Sequence, residues 1–439
     1  MSNQEDINKI KLNQDQEDTI QKLDDFVASN QLFFRLDGAA GTGKSTTAAR
    51  WAKHAVSNGT QLALAAPTNK ATRQLRLFKN RIDQNAKIPT GTIYSLLGLI
   101  LGKDGEAREI QNTDMHKMDG VQAVIVDEWS MVNDSLMGKI HDHALATNTK
   151  VIFMGDPYQL PPVGQEKSAV ERLHRNSFLH KVERHDNQIL SFATYLRECI
   201  ENGTEPSFKT DRDEDGGVSV LNSRDFYRQL KKAFSSELYD EVPDAFKCLA
   251  WRNAIVDEFN DSIRQAMYND DPADPFEIGE RIVAKAPVLD VVEFKVSGRE
   301  MFVATTDEEG TVRSCVKQPH PVFGDIEVWA VVFENELGHS VCGYLPTKAG
   351  KRDYLKQKNK LYEKAKTERG RWPAFWQFIG MFADLAPCHA LTTHRGQGST
   401  YRTAFVDVND IMVNRNKAER LRMLYTAATR PSKSLILKV

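Results

Sequence analysis

The first third of the chain alternates short apolar runs with amphipathic stretches. The apolar runs occupy residues 32–36, 61–66, 121–126 and 150–154, and each ends in a polar or glycine-containing loop. Strands that alternate with helices in this way predict parallel α/β layers. Because open α/β sheets bind their ligands beyond the carboxyl ends of the strands, those loops are the expected place for chemistry.

The pattern changes after residue 182. Helical stretches lead to an acidic, glycine-containing segment at 204–217, which we expect to be a surface loop, and an apolar run at 245–251 restarts the α/β pattern. Residues 276–344 contain short apolar runs broken by glycines, which predicts a small all-β module of barrel type. The last predicted strands are residues 404–408 and 435–439. We find no internal sequence repeat.

Two segments depart from the α/β pattern. Residues 98–120 are polar and predict a small insertion in the first α/β domain. Residues 348–371 contain ten basic and three acidic residues at a spacing that predicts an exposed helix. A nucleic-acid-binding stripe and a solvated strut are equally compatible with that helix.

Composition limits the class of protein. A chain of 439 residues exceeds what one hydrophobic core usually supports, so several domains are expected. The amino terminus is polar and no apolar run reaches the roughly 18 residues of a membrane span, which predicts a cytoplasmic protein without membrane contact. The five cysteines lack paired spacing and predict neither a zinc site nor a disulfide framework. Because the net charge is -2, a polyanionic partner would have to bind in a local cleft.

A glycine-rich loop follows the first predicted strand. The segment GAAGTGKS at 38–45 lies between that strand and a good helical stretch, which is the context of a phosphate-binding P-loop. Glycines let the backbone amides turn toward a phosphate, and the helix amino terminus adds a favourable dipole. We predict that Lys44 bridges the β- and γ-phosphates of ATP and that Ser45 ligates Mg²⁺. The predicted loop contacts are Gly38, Gly41, Thr42, Gly43, Lys44, Ser45 and Thr46.

A second motif begins where the apolar run at 121–126 ends. Asp127 and Glu128 follow it directly. In phosphoryl transfer Asp127 would hold Mg²⁺ through water, and Glu128 would orient and activate the attacking water. P-loop kinases seldom need the second carboxylate, so the pair favours hydrolysis. A nucleotide kinase, a packaging-type ATPase and a regulatory nucleotide switch stay open as alternatives.

The motifs around these residues resemble those of superfamily 1B DNA helicases of the RecD type, and the size and motif order are most similar to phage Dda helicases. The resemblance rests on DEWSM at 127–131 and GDPYQLPPV at 155–163. It extends to LNQDQ at 12–16, AAPTNKA at 65–71, GTIYS at 91–95, VER at 182–184, WRN at 251–253, LTTHRGQGS at 391–399 and LYTAATR at 424–430.

The resemblance implies a fold of two RecA-like P-loop domains with insertions. The first RecA-like domain, with the ATP site, would comprise residues 1–97 and 121–178, interrupted by a pin at 98–120. The second would comprise residues 179–275 and 387–439, interrupted by an SH3-like β-barrel at 276–345 and a basic helical tower at 346–386. In this family the tower braces the pin. Because residues 102–120 contain no aromatic side chain, a wedge would use Leu101 or the backbone.

The resemblance also implies roles in the nucleotide site. Gln16 would read the adenine edge, Gln159 would sense the γ-phosphate, and Gly398 would join the nucleotide contacts. Arg184 and Arg430 would act as arginine fingers that stabilise the transferring phosphoryl group. The ordinary alternative for either arginine is a surface salt bridge.

Single-strand contacts are implied for polar and aromatic residues at the ends of predicted strands. These residues are Pro67, Thr68, Asn69, Thr92, Tyr94, Ser95, Trp251, Asn253, Thr393, His394 and Gln397. Tyr94 stands where the family carries histidine, and Ala427 and Ala428 stand where glycine and a larger aliphatic residue are typical. Trp376 is a further candidate for base stacking, but its neighbours recur at helical spacing and predict a packed helix face.

The implied function is an ATP-dependent DNA helicase that moves 5′ to 3′ on single-stranded DNA and unwinds duplex. The alternative is a single-strand translocase or remodelling ATPase without efficient duplex separation. The expected cofactors are ATP and Mg²⁺. The expected partners are single-stranded DNA, forked duplex DNA and single-strand-binding or replication proteins, with the chain acting as a monomer in replication or recombination.

Overall fold

A computed structural model describes residues 7–83, 87–101, 107–109, 118–182, 188–214, 216–242, 244–269 and 273–439. Its contacts divide the chain into two units. The first unit comprises Met1–Leu97, His116–Phe259 and Ala390–Val439, and the second comprises Gly98–Met115 and Asn260–His389. In the part of the chain that the structure describes, no helix is long and apolar enough to cross a membrane.

Strands and helices are numbered along the chain. The strands are β1 Phe33–Gly38, β2 Leu62–Ala66, β3 Thr90–Thr92, β4 Leu99–Leu101, β5 Ala107–Glu109, β6 Ala123–Val126, β7 Lys150–Gly155, β8 Ser177–Leu179, β9 Asp211–Arg212, β10 Gly217–Leu221, β11 Phe246–Ala250, β12 Arg281–Ala284, β13 Val288–Leu289, β14 Phe302–Ala304, β15 Glu309–Pro319, β16 Glu327–Asn335, β17 Ser340–Pro346, β18 Leu385–Pro387, β19 Ala390–Thr392, β20 Tyr401–Asp407 and β21 Pro431–Lys438. The α-helices are α1 Gln14–Ala28, α2 Lys44–Ser57, α3 Asn69–Ile82, α4 Ile93–Leu96, α5 Asp134–Thr147, α6 Gln188–Asn202, α7 Ser223–Phe234, α8 Glu237–Glu241, α9 Asn253–Met267, α10 Val291–Ser297, α11 Lys351–Thr367, α12 Trp372–Gly380, α13 Thr393–Gly396, α14 Val408–Met412 and α15 Lys417–Ala428.

The first unit contains two six-stranded sheets. Sheet one has the order β3-β2-β6-β7-β1-β8, and all its pairs are parallel. Every residue of β2, β6 and β7 is buried, as expected for parallel strands covered on both faces. The covering helices supply one apolar cluster on each face.

Sheet two repeats the arrangement of sheet one. Its order is β19-β11-β20-β21-β10-β9, and only the pair of β9 with β10 is antiparallel. Each of its first five strands occupies the place of a strand in sheet one. The chain therefore contains a repeat of topology that is not accompanied by an internal sequence repeat.

The long apolar runs of the first unit form strands as predicted. The four early runs became β1, β2, β6 and β7, and the three late runs became β11, β20 and β21. The sequence did not predict the short strands β3, β8 and β19, because three residues are too few to establish a period. It also missed β10, which follows a surface segment that is otherwise irregular.

The second unit is built on a five-stranded sheet with the order β17-β16-β15-β12-β18, in which every pair is antiparallel. Two-stranded ribbons pair β13 with β14 and β4 with β5. The expectation of an all-β module was wrong in one place, since α10 lies within it. Asp290 caps the amino end of α10 by accepting from Val292 N and Glu293 N, and Gly298 ends the helix with a φ of 72°.

Two helices close the second unit. The basic segment forms α11, as predicted, and the following aromatic segment forms α12. The predicted packed face of α12 is confirmed by the burial of Phe375 and Phe378, and Tyr354 of α11 stacks on Phe378 at a centroid distance of 5.5 Å. The designations of pin, SH3-like barrel and tower stay predictions.

Candidate nucleotide cleft and strand-contact loops

The loop between β1 and α2 turns its backbone around the amino end of α2. Gly41 and Gly43 have φ values of 81° and 82°, in the left-handed region that only glycine enters readily. The Nζ of Lys44 donates to the carbonyl oxygens of Gly38 at 2.6 Å and Ala39 at 3.0 Å. The lysine therefore lies over its own loop, where a phosphate would meet the helix dipole and the lysine charge together.

Gln16 lies buried beside this loop. Its Nε2 donates to the carbonyl oxygen of Thr42 at 3.2 Å. Its Oε1 accepts from Asn13 N at 3.0 Å, as part of the capping box that begins α1. The amide of Gln16 thus links the start of α1 to the phosphate-binding loop.

Asp127 and Glu128 follow β6 at the carboxyl edge of sheet one. Glu128 has a φ of 54°, an uncommon conformation for a residue with a side chain, which typically costs about 1–3 kcal/mol and concentrates at functional sites. Its backbone nitrogen donates to Asp127 Oδ1 at 2.9 Å. This bond and the short helical turn at Trp129–Met131 hold the two carboxyl groups side by side.

Burial and a nearby negative charge act on both carboxyl groups. Burial, reinforced by the charge of Glu128, raises the pKa of Asp127 to about 7. Burial also raises the pKa of Glu128, against the opposing effect of Arg430 and Lys44. The pair therefore lies where additional positive charge stabilises its ionised form.

Arg430 reaches the carboxyl pair from sheet two. Its guanidinium lies 3.8 Å from Glu128 Oε1 and is only 7% exposed. Arg430 Nε donates to the carbonyl oxygen of Thr426 at 3.0 Å, and a terminal nitrogen donates to that of Ser399 at 3.2 Å. The alternative of a surface salt bridge is wrong for Arg430. Its side chain is buried, and its hydrogen bonds to Thr426 and Ser399 hold it to the helix and loop beside sheet two. Arg184 lies outside the described residues.

Further hydrogen bonds join the two sheets. Gln397 Nε2 donates to Ser130 Oγ at 2.9 Å and to Gln159 Oε1 at 3.1 Å. The hydroxyl of Tyr425 donates to Asp156 Oδ2 at 2.6 Å and accepts from Ala40 N, in the phosphate-binding loop, at 3.1 Å. The side chain of Gln159, which follows sheet one, is thus hydrogen-bonded directly to Gln397, which follows β19 of sheet two.

These residues line one cavity of about 1460 Å³. The predicted nucleotide-site residues on its wall are Gln16, Gly41, Gly43, Lys44, Ser45, Thr46, Asp127, Glu128, Gln159, Gly398 and Arg430. Gly38 and Thr42 are not on the wall, since Thr42 is buried and Gly38 lies beneath the side chain of Lys44. One cavity thus gathers glycines, cations and carboxylates from the two sheets.

Two family models match parts of the chain. Residues 11–206 match the AAA domain family, and residues 387–437 match the UvrD-like helicase C-terminal domain. The chain is 24% identical over 406 residues to the ATP-dependent DNA helicase Dda of Enterobacteria phage T4, covering 84% of this chain and 86% of that protein. It is 23% identical over 502 residues to an uncharacterised protein of Acanthamoeba polyphaga mimivirus, covering 96% and 99%. It is 36% identical to the RecD2 DNA helicase of Deinococcus radiodurans over 128 residues, covering 29% of this chain and 16% of that protein.

The chain is similar to superfamily 1B helicases of the Dda and RecD type. These two named relatives are ATP-dependent DNA helicases. Solved Pif1 structures share the fold of this chain. A Pif1 helicase at forked duplex DNA aligns with a TM-score of 0.53 at 15% identity, covering 98% of this chain and 92% of that chain. Pif1 of Candida albicans aligns with a TM-score of 0.50 at 16% identity, covering 98% and 95%. The two parallel sheets are accordingly two RecA-like domains.

The candidate strand-contact residues follow adjacent strands in each sheet. Thr68 follows β2 and caps α3, and Thr92 ends the neighbouring β3 and caps α4. In sheet two Thr392 ends β19 and caps α13, beside Trp251 at the end of β11. The two sheets therefore present equivalent edges, each carrying a threonine-capped single turn.

Some side chains predicted to contact the strand are not exposed on the protein surface. Thr393 is fully buried and donates to the carbonyl oxygen of Ala250 at 3.2 Å. Gln397 is also buried, in the network with Gln159. For these two side chains the structure contradicts an exposed contact, because tertiary packing turned them inward.

The other predicted strand contacts remain accessible in part. Pro67, Asn69, Tyr94, Ser95, Trp251 and His394 are partly buried, and Asn253 is exposed at the start of α9. Burial raises the pKa of Tyr94 and lowers that of His394, so both rings are favoured in their neutral forms. The backbone nitrogen of Trp251 donates to Asp410 Oδ2 at 2.7 Å, which anchors that loop.

The sequence motifs did not predict contacts between the two sheets for Tyr425 and Arg422. Both lie on α15, and Arg422 donates to the carbonyl oxygens of Pro157 at 2.6 Å and Gln159 at 2.9 Å. Tyr425 falls inside the motif that was recognised for Arg430. No local pattern predicts that its hydroxyl crosses to the other half.

Proposed function

We propose that the protein is an ATP-dependent DNA helicase that moves 5′ to 3′ along single-stranded DNA and separates duplex ahead of it. One observation carries the proposal: Arg430 of the second RecA-like domain faces Glu128 and the phosphate-binding loop of the first, within one cavity. Such a site is complete only when the two domains lie together. Nucleotide binding and release can therefore be converted into relative movement of the domains.

Within this proposal the phosphate-binding loop holds ATP. The amides of the loop and the amino end of α2 receive the phosphates, and Lys44 exchanges its loop carbonyls for the β- and γ-phosphates. Gln16 and Gly398 bound the same cavity from opposite halves. Gln16 would report on the base through the amide that already touches the loop at Thr42.

Ser45 and Asp127 are the candidate ligands for Mg²⁺. Both line the cavity, and a hydroxyl and a carboxylate are the hard oxygen donors that this ion takes together with substrate phosphates. The raised pKa of Asp127 marks a buried acid whose ionised form a cation would stabilise. When bound, the ion would neutralise charge on the β- and γ-phosphates.

Hydrolysis would use Glu128, Gln159 and Arg430. Glu128 orients and deprotonates the attacking water, and its strained backbone fixes the direction of the carboxylate. Arg430 stabilises charge on the γ-phosphoryl group, and Arg184 supplies a second arginine by resemblance to the family.

The hydrogen bonds between the domains provide the coupling. Gln159 lies on the cavity wall and accepts from Gln397, which belongs to the motif proposed to contact the strand. Loss of the γ-phosphate would change the position of Gln159 and, through Gln397, of the loop beside His394. Tyr425 couples the phosphate-binding loop to Asp156 in the same way.

Single-stranded DNA would bind along the equivalent edges of the two sheets. Thr68, Asn69, Thr92 and Ser95 offer neutral polar groups to phosphates on the first edge. On the second edge His394 and Asn253 take that role, and Trp251 and Tyr94 offer stacking surfaces. Neutral donors explain how strand binding coexists with a net charge of -2.

Unwinding of duplexes that carry one single-stranded tail tests the proposal. Substrates bearing only a 5′ tail or only a 3′ tail are incubated with ATP, and strand release is followed by gel electrophoresis. We expect release from the 5′-tailed substrate and little from the 3′-tailed one. Release only from the 3′-tailed substrate would overturn the polarity.

A single-strand translocase is the second candidate function. The observation that favours it is the absence of aromatic residues in the sequence of the proposed pin at 102–120, since an aromatic side chain is an effective wedge between base pairs. This candidate predicts ATP-driven displacement of a protein block from a tailed strand without duplex separation. Absence of ATP turnover stimulated by single strands would contradict both candidates.

A further inference from the structure

The exposed face of α11 concentrates positive charge. The segment at 348–371 contains ten basic and three acidic residues, although the whole chain has a net charge of -2. This helix belongs to the second unit, which contributes no residue to the nucleotide cavity. The charge therefore has no role in the chemistry described above.

Four of the cations form a regular row. This basic stripe consists of Arg352, Lys356, Lys360 and Lys364. All four side chains are exposed and follow one another every four residues, so successive members are about 6 Å apart along the helix axis and the stripe is about 18 Å long. The opposite face is held in place, since Ala365 is buried and Tyr354 and Leu361 pack into the apolar cluster beneath α12. The stripe is therefore a rigid row that faces solvent.

The acidic residues nearby pair with only one described member of the stripe, Arg352. Asp353 lies 3.8 Å from Arg352, whereas Glu363 pairs with Lys366 and Glu368 pairs with Arg371. Among the residues that the structure describes, no ion pair is recorded for the three lysines of the stripe. Like charges four residues apart repel one another along a helix, so a polyanion beside the stripe would relieve repulsion as well as gain attraction.

We propose that the basic stripe binds the phosphate backbone of duplex DNA without reading its sequence. The inference rests on the proposed function, because it takes DNA as the partner of the whole chain. A rigid, evenly spaced row of cations matches a polyanion that is itself rigid and evenly charged. A single strand would first have to be straightened, which opposes its binding.

The lack of an aromatic side chain among the four residues of the stripe also favours duplex over single-stranded DNA. Non-specific single-strand sites combine cations with aromatic platforms on which bases stack. The stripe contains no aromatic residue. The nearest exposed ring on α11, that of Tyr362, is turned into edge contact with Trp372 at 5.8 Å and packs against Phe375 at 5.7 Å. The stripe thus offers phosphate contacts alone.

The test compares three triple variants of the intact chain. One removes stripe charges (Lys356→Gln, Lys360→Gln, Lys364→Gln), and the matched control removes equal charge from exposed positions off the stripe (Lys351→Gln, Lys366→Gln, Arg369→Gln). Glutamine keeps the helix propensity close to that of lysine, and a third variant with arginine at the three stripe positions keeps the charge. Binding of a blunt 20-base-pair duplex and of a dT oligonucleotide is measured by fluorescence anisotropy over a series of salt concentrations.

We expect the stripe variant to reduce the slope of log affinity against log salt for the duplex by about 2 to 3, at about 0.9 per lost phosphate contact. The arginine variant and the off-stripe control should retain the wild-type slope, and dT binding should be unchanged in all three. An equal loss for dT would overturn the preference for duplex. An equal loss in the off-stripe control, or no loss in the stripe variant, would overturn the site. ATP turnover stimulated by dT is measured on the same preparations: its absence from the wild type would contradict the proposed function, whereas the duplex slopes test the stripe independently.

Discussion

At the scale of single residues, Glu128 joins the features that an activating base needs. Its backbone has a φ of 54°, its backbone nitrogen donates to Asp127 Oδ1, and the guanidinium of Arg430 is 3.8 Å from its carboxyl group. Strain of this kind persists only where the surrounding structure fixes the residue. A glutamine at this position would keep the shape of the side chain and remove only its ability to accept a proton.

Substitution of Glu128 and Lys44 tests the assignment of the nucleotide site. We expect Glu128→Gln to lower ATP turnover about a hundred-fold or more, because it removes the general base. Lys44→Ala should also abolish hydrolysis, because it removes the charge that meets the phosphates. Steady-state phosphate release measures both effects, and binding of a dT oligonucleotide serves as the control that should remain. Turnover at the wild-type rate in either variant would refute the assignment.

Residue type predicted which residues belong to the candidate site better than it predicted which groups their side chains contact. GAAGTGKS and the Asp127-Glu128 pair mark phosphate and metal chemistry through residue type and spacing alone. The same reasoning assigned Thr393 to the strand, but its side chain is buried against Ala250. Which way a side chain turns depends on neighbours that are distant in sequence.

At the scale of elements, His320 links the turn between β15 and β16 to the end of α12. Its Nδ1 accepts from Val322 N at 3.2 Å and Phe323 N at 3.1 Å, so Nε2 carries the proton and donates to the carbonyl oxygen of Met381 at 3.2 Å. The ring stacks on Phe382 at 4.6 Å. The neutral ring therefore uses both of its nitrogens in hydrogen bonds. Protonation of Nδ1 would break the bonds from the amides of Val322 and Phe323.

The burial of His320 predicts a dependence of stability on pH. Burial lowers the pKa of His320 below 6.5, so the unfolded chain binds the proton more tightly than the folded one. The stabilisation is complete above about pH 6.5 and is lost progressively as the pH falls below that value. We expect the thermal unfolding temperature of the second unit to fall between pH 7 and pH 5.

His320→Gln is the matched variant for this measurement. Glutamine can accept and donate like the neutral ring but does not titrate in this range. Its unfolding temperature should change less between pH 7 and pH 5 than that of the wild type. An equal change in the two proteins would assign the pH dependence to other groups.

Element prediction succeeded where the apolar run was long enough to define a period. The buried runs of β1, β2, β6 and β7 announce parallel strands because parallel sheets are covered on both faces. By contrast, α10 depends on a cap at Asp290 and a left-handed Gly298, within a stretch whose valines fit a strand equally well. Short elements with competing propensities are decided by packing.

At the scale of the whole molecule, the two RecA-like domains share one site. The first supplies the phosphate-binding loop and the carboxylates, and the second supplies Arg430. A nucleotide kinase or a packaging-type ATPase would complete its site without the final third of the chain. A requirement for Arg430 in ATP turnover would therefore distinguish a two-domain motor from those alternatives.

Substitution of Arg430 tests this requirement. Arg430→Gln should lower ATP turnover about a thousand-fold, the effect of an arginine that stabilises phosphoryl transfer. Arg422→Gln is the matched control, since Arg422 lies on the same helix and also crosses to the first domain but bonds only backbone carbonyls. We expect its loss of turnover to be smaller than tenfold. Normal turnover in Arg430→Gln would favour a site formed by the first domain alone.

The sequence by itself determined the chemistry that we propose for this protein. Phosphate binding, the carboxylate pair and the strands that position them depend on residue type and on local period, which a linear chain displays directly. The resemblance to superfamily 1B helicases followed from those same local motifs.

Only the tertiary structure decided which groups meet. The correspondence of the two sheets, the contact of Tyr425 with both Asp156 and the phosphate-binding loop, and the approach of Arg430 to Glu128 join residues that are far apart in sequence. Such contacts are selected by the packing of whole layers, in which a side chain turns toward the site or into the core according to neighbours that local sequence does not specify.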